Sequence, residues 1–112
     1  VGNCCLPTYE AVHKNKLMHG FSLYIPGLKK NGDTPDIAAL IAPRPLHLNF
    51  GMEDELSPIS EVQKAMKLIS QSYRELDAED KFSYFIEEDQ GHVLSEKMWY
   101  ATCSKFLKYL PL

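Results

Sequence analysis

The stretch Leu46-His-Leu-Asn-Phe-Gly51-Met-Glu-Asp54-Glu-Leu-Ser-Pro58 decides the fold. Five residues, Leu46 to Phe50, form a short run closed by Gly51, which is the pattern of a strand inside a sheet. An acidic loop follows, and from Pro58 the period changes. Val62, Ala65, Met66, Ile69, Tyr73 and Leu76 fall at helical spacing on one face, with Lys64, Lys67, Gln71 and Glu75 elsewhere. Ser57 is a suitable N-cap and Pro58 suits the first helical position, where its missing amide proton costs nothing.

Outward from this unit the alternation continues. Phe82 to Ile86 reads as a second strand, and a last helix is expected from about Ser95 to Tyr109. Its buried stripe is predicted as Met98, Trp99, Thr102, Phe106, Leu107 and Leu110, with Pro111 ending it. Upstream, Asp36 to Ile41 forms a brief helix whose acidic start suits the helix dipole, stopped by Pro43-Arg44-Pro45. Residues 8–33 read as a short helix followed by an irregular excursion, punctuated by Pro26-Gly27 and Asn31-Gly32-Asp33. Val1 to Leu6, ended by Pro7, reads as the tail of a strand. Alternating strands and helices predict an α/β fold with a parallel sheet, carried by one segment over residues 1–112.

Composition bounds the function. The chain has 112 residues, 45% of them apolar and 11% aromatic, so a core is available and disorder is excluded. Twelve basic against fifteen acidic residues leave a formal charge of −3, which argues against nucleic acid as the partner. No apolar run reaches the roughly 18 residues that would span a bilayer, so no membrane role is expected. No leading basic and apolar block is visible. Three cysteines, two of them adjacent at Cys4 and Cys5, exclude a disulfide-held scaffold and lean towards a reducing compartment. Cys4, Cys5, His13 and His19 offer metal-ligand types, but no CxxC or HxxxH spacing supports a site, and no metal is expected.

Chemistry in open α/β sheets collects beyond the carboxyl ends of strands. Asp54 follows the first of the two strands and His92 the second, in Glu87-Glu-Asp-Gln-Gly91-His92. A carboxylate there can hold an imidazole in one tautomer and stabilise its protonated form, which makes a general base. Gly91 is expected to give the backbone the freedom to turn His92 over the sheet edge. Glu53 and Glu55 compete with Asp54, since an acidic loop before a helix is stabilising without catalysis. His13, His19 and His47 are expected to be structural, with His47 facing packing.

The run Asp36-Ile-Ala-Ala-Leu-Ile-Ala-Pro-Arg-Pro45, then Gly51-x-x-Asp54-x-x-x-Pro58, then Gly91-His92, resembles the C-terminal part of an α/β-hydrolase. The branch it resembles is that of the dienelactone-hydrolase-like and acetyl-xylan-esterase-like serine hydrolases, over residues 24–110. The resemblance implies a Ser-His-Asp esterase acting on a small ester, with Asp54 the orienting acid, His92 the base, and no metal or organic cofactor. It also implies that the strands after Pro45 and Lys81 are the last two of the sheet and that Val1 to Cys5 is the one before. The Gly-x-Ser-x-Gly elbow of such enzymes is absent from these residues, and in the usual chain order it would precede Val1. Ser22, in Gly20-Phe-Ser22-Leu, lacks the second glycine of an elbow. The chain is therefore expected to be inactive alone, a C-terminal fragment holding two-thirds of a triad. The alternative is a truncated, non-catalytic module whose open sheet edge drives homo-oligomerisation or pairing with a complementing chain.

Overall fold

The computed structural model describes residues 1–20 and 23–110. Ser22 and Pro111, considered above, lie outside the described residues. Three parallel strands form one sheet in the order β1-β2-β3: β1 (Gly2–Asn3), β2 (Leu46–Gly51) and β3 (Phe82–Glu87). Gly2 pairs with Leu48, and β2 and β3 run in register from Leu46 opposite Phe82 to Gly51 opposite Glu87. The α/β class with a parallel sheet, expected from the alternation, is what the chain adopts.

Alternate residues of β2 serve opposite faces, and both faces are covered. Leu46, Leu48 and Phe50 pack with Ala38 of α3 (Thr34–Ala39) and with Val62, Ala65, Met66, Ile69 and Tyr73 of α4 (Ile59–Glu75). Phe50, Ile69 and Tyr73 have no exposed surface, and burying such a side chain contributes about 1.5–3 kcal/mol each. The Tyr73 ring stacks on Phe82, and its hydroxyl donates to the Arg44 carbonyl, closing the turn that feeds β2. On the opposite face lie His47 and Asn49, covered by α5 (Glu96–Tyr109) through Met98 and Thr102.

The segment between β1 and β2 is more ordered than predicted. It holds α1 (Tyr9–Lys14), capped by Thr8, and the single turn α2 (Leu28–Asn31). Tyr9 ties it together: its hydroxyl donates to the Leu23 carbonyl and accepts from the Ile25 amide. The brief helix expected from Asp36 begins two residues earlier, because Asp33 and Asp36 form a reciprocal capping box around its first turn.

Three details differ from the sequence expectation. Pro58, not Ser57, precedes the first residue of α4, because Pro58 has a ψ of 129°, outside the helical range, so the helix starts only at Ile59. Leu76 is exposed, because α4 ends at Glu75. In α5 only Met98 and Thr102 are buried; Trp99, Phe106, Leu107 and Leu110 are exposed. Strands sit about 4.8 Å apart, so three of them make a platform only about 10 Å wide. That covers one side of a helix whose side chains span about 10–12 Å, and the rest of the apolar surface of α5 stays outside.

Candidate active site

The carboxyl ends of β2 and β3 are stitched together beyond the ladder. The Met52 amide donates to the Glu87 carbonyl at 2.9 Å, and the Glu53 amide to the Gln90 carbonyl at 2.8 Å. The chain crosses so closely that a methyl group at Gly51 would run into the carbonyl oxygens of Gln90 and Gly91. Gly51 is therefore the glycine this junction requires. Gly91 is not: it has no left-handed φ, and a methyl there would meet the Glu53 carbonyl at an ordinary 3.8 Å. The backbone freedom expected of Gly91 is not used; the junction depends instead on the missing side chain of Gly51.

The second loop is also held at its far end. Ser95 caps α5 by accepting from the Met98 amide at 3.1 Å, while its own hydroxyl donates to the buried carboxylate of Glu87. Residues 88–94 are thus bracketed by β3 and the start of α5, with His92 near the middle.

This stitching brings Asp54 and His92 together. The His92 Nδ1 donates to Asp54 Oδ2 at 2.9 Å. The second oxygen, Oδ1, accepts the Leu56 amide at 2.9 Å, which fixes the carboxylate plane. The Asp54 side chain has no exposed surface, whereas that of His92 is half exposed. With Nδ1 as donor, neutral His92 carries a lone pair on Nε2. Glu53 and Glu55 are exposed, and among the described residues no bond joins either to His92.

Sequence reasoning missed one neighbour, Cys4. Its amide continues the β1–β2 pairing by donating to the Asn49 carbonyl at 2.8 Å, and the chain then turns through a φ of 47°. A non-glycine residue in this region costs about 1–2 kcal/mol, which the surrounding bonds must offset. The Cys4 thiol donates to the Val93 carbonyl at 3.3 Å, and Asn3 Nδ2 donates to the same carbonyl at 3.0 Å. The end of β1 thereby grips the residue after His92. Cys4 Sγ, a carboxylate oxygen of Asp54 and a ring nitrogen of His92 all lie within 4.8 Å of one another. Burial, followed by the nearby Asp54 charge, pushes the Cys4 thiol pKa up, so it rests as a protonated thiol and not as a nucleophile. Only the cysteine pair in the sequence pointed here, and it carried no sign of which strand end it would meet.

The other polar residues are placed elsewhere. His47 is buried in a chain of bonds on the α5 side: Nδ1 meets Ser83 Oγ at 2.9 Å, Nε2 meets Asn49 Oδ1 at 3.0 Å, and Asn49 Nδ2 donates to Thr102 Oγ1 at 2.9 Å. Because the Asn49 oxygen can only accept, Nε2 carries the ring proton and Nδ1 accepts from Ser83. Burial pushes the His47 pKa down, keeping it neutral. His13 is exposed, and neither it, His19 nor Cys5 joins the cluster around Asp54. A hollow of about 670 Å³ lies within the segment after β1, lined by Tyr9, Val12, Tyr24, Ile25 and neighbouring residues; Asp54 and His92 do not line it. No helix of the described residues is long and apolar enough to cross a membrane.

No protein-family model matches the sequence, and no solved structure matches it. Among curated proteins, it is 37% identical over 75 residues to a protein of Bacillus subtilis (strain 168) named "Putative hydrolase YtaP". The aligned stretch is 66% of this chain and 24% of that protein, so the similarity spans about a quarter of the relative's length. That likeness supports a hydrolase relationship for the chain.

Proposed function

We propose that this chain supplies the acid and base of a serine ester hydrolase. In this reading His92 Nε2 takes the proton of a serine hydroxyl as it attacks an ester carbonyl, then returns it to the leaving alcohol. Asp54 holds the imidazole in the Nδ1–H tautomer and stabilises the imidazolium formed in between. Water, deprotonated by the same nitrogen, then releases the acyl group. The observation that carries the reading is a buried carboxylate, fixed by the Leu56 amide, accepting from the inner nitrogen of a half-exposed imidazole. The hydrolase-named relative agrees with it.

The serine and its oxyanion donors would come from residues outside these 112, since no Gly-x-Ser-x-Gly occurs within them. The substrate would be a small ester, and no metal or organic cofactor enters the chemistry. A fluorophosphonate probe tests the division of labour. The polypeptide joining these residues to a nucleophile-bearing segment should be labelled at one serine in that segment, and the 112 residues alone should remain unlabelled. Labelling of a serine within the 112 residues would overturn the reading.

A second reading is favoured by a different observation. Among the described residues β1 pairs on one side only, with β2, and Trp99, Phe106, Leu107 and Leu110 leave an apolar surface on α5. Both features suit association with a second copy or with a chain that supplies further strands.

A further inference from the structure

The group that surrounds the Asp54–His92 pair has a composition that general-base chemistry does not use. A thiol, a carboxylate and an imidazole converge from three separate places: the end of β1, the loop after β2 and the loop after β3. Thiolate and imidazole together favour a borderline-soft ion of the zinc type over magnesium or calcium. Tetrahedral zinc with ligand distances of about 2.0–2.3 Å separates its ligand atoms by about 3.3–3.7 Å. The three atoms here lie within 4.8 Å of one another, so closing the set takes a contraction of at most about 1–1.5 Å, while Asp54 Oδ2 and His92 Nδ1, 2.9 Å apart, open by about 0.4 Å. The half-exposed His92 has room to adjust by side-chain rotation. Asp54 would use Oδ2 as ligand while Oδ1 keeps its bond to the Leu56 amide.

We propose that Cys4, Asp54 and His92 form a binding site for a zinc-type divalent cation, with the fourth position open to solvent on the His92 side. The charges balance. The ion displaces the proton of Cys4 Sγ into solvent, and thiolate and carboxylate together neutralise its two positive charges. His92 stays neutral: its proton leaves Nδ1, which becomes the ligand atom, and Nε2 is protonated in its place. The inner nitrogen can then no longer donate to Asp54, and the outer one has no lone pair. Resting on the acid–base reading above, the ion is an inhibitor of the base, a reversible lock on the centre. The binding itself does not depend on that reading.

Cobalt(II) serves as the spectroscopic probe, added to the full chain kept reduced with a phosphine. One equivalent should produce the near-ultraviolet thiolate-to-cobalt absorption and visible bands of tetrahedral intensity, and zinc should abolish both. C4S should lose the thiolate band, whereas C5S and C103S should keep it. His92→Ala, at an exposed position that folding tolerates, should weaken binding more than about a hundredfold. A thiolate band that survives in C4S, unchanged affinity in His92→Ala, or no band in the native chain would overturn the proposal. Because the readout is the absorption of the ion, its failure leaves the hydrolase reading standing. An inactive ester assay, in turn, leaves the ion site standing.

Discussion

Gly51 shows how much a single residue can decide at a strand end. Its lack of a side chain lets the loop after β3 cross directly over the end of β2, and that crossing sets the distance between Asp54 and His92. Gly51→Ala is expected to destabilise by about 1–3 kcal/mol, because the obstacle is backbone and cannot rotate away. Gly91→Ala should stay within about 0.5 kcal/mol of the native chain. Urea denaturation of both variants checks the contrast; equal effects would contradict it. The candidate pair itself was legible, since an acid after one strand and a histidine after the next is a pattern in linear sequence. So was the choice of Asp54 over Glu53 and Glu55, once the Gly51-x-x-Asp54 spacing was set beside a family pattern. Cys4 was not legible. It reaches the pair only through parallel pairing with β2, 45–46 residues away in the chain, and through a left-handed turn that its sequence does not advertise.

At the level of elements, β2 is the strand that organises the molecule. Its even-numbered side chains form the apolar core, while His47 and Asn49 carry a polar relay to Ser83 and Thr102. The relay has a consequence for stability against pH. An unfolded histidine titrates near 6.5, whereas burial holds the pKa of His47 below its ordinary value. As pH falls through about 6.5 the unfolded chain therefore binds a proton that the native chain refuses, and stability declines until the lower folded value is passed. His47→Gln is expected to flatten the part of this decline that lies between pH 7.5 and 5.5. Urea midpoints across that window measure it, and a slope unchanged in the variant would contradict the assignment. Helix periodicity gave the position of α5 and, in Met98 and Thr102, the centre of its buried face, but overstated the width of that face. A stripe read at helical spacing assumes that something lies opposite the whole stripe, and here the platform ends after three strands.

For the whole molecule, the described residues form a parallel sheet covered on both faces, with one edge strand only two residues long. The apolar surface of α5 adds to what this assembly leaves exposed. Light scattering is expected to give the isolated chain a mass of at least twice its own; a stable, folded monomer would remove the association reading. The proposed role of Asp54 and His92 is that of acid and base for a nucleophile carried elsewhere. Its most direct test is the turnover of a nitrophenyl ester by the polypeptide that joins these residues to that nucleophile, compared with its Asp54→Asn variant. Asparagine would accept poorly and favour the wrong imidazole tautomer, so turnover should fall by about 10⁴-fold. Turnover within a few-fold of the native value would contradict the assignment of Asp54 and His92 as a working pair.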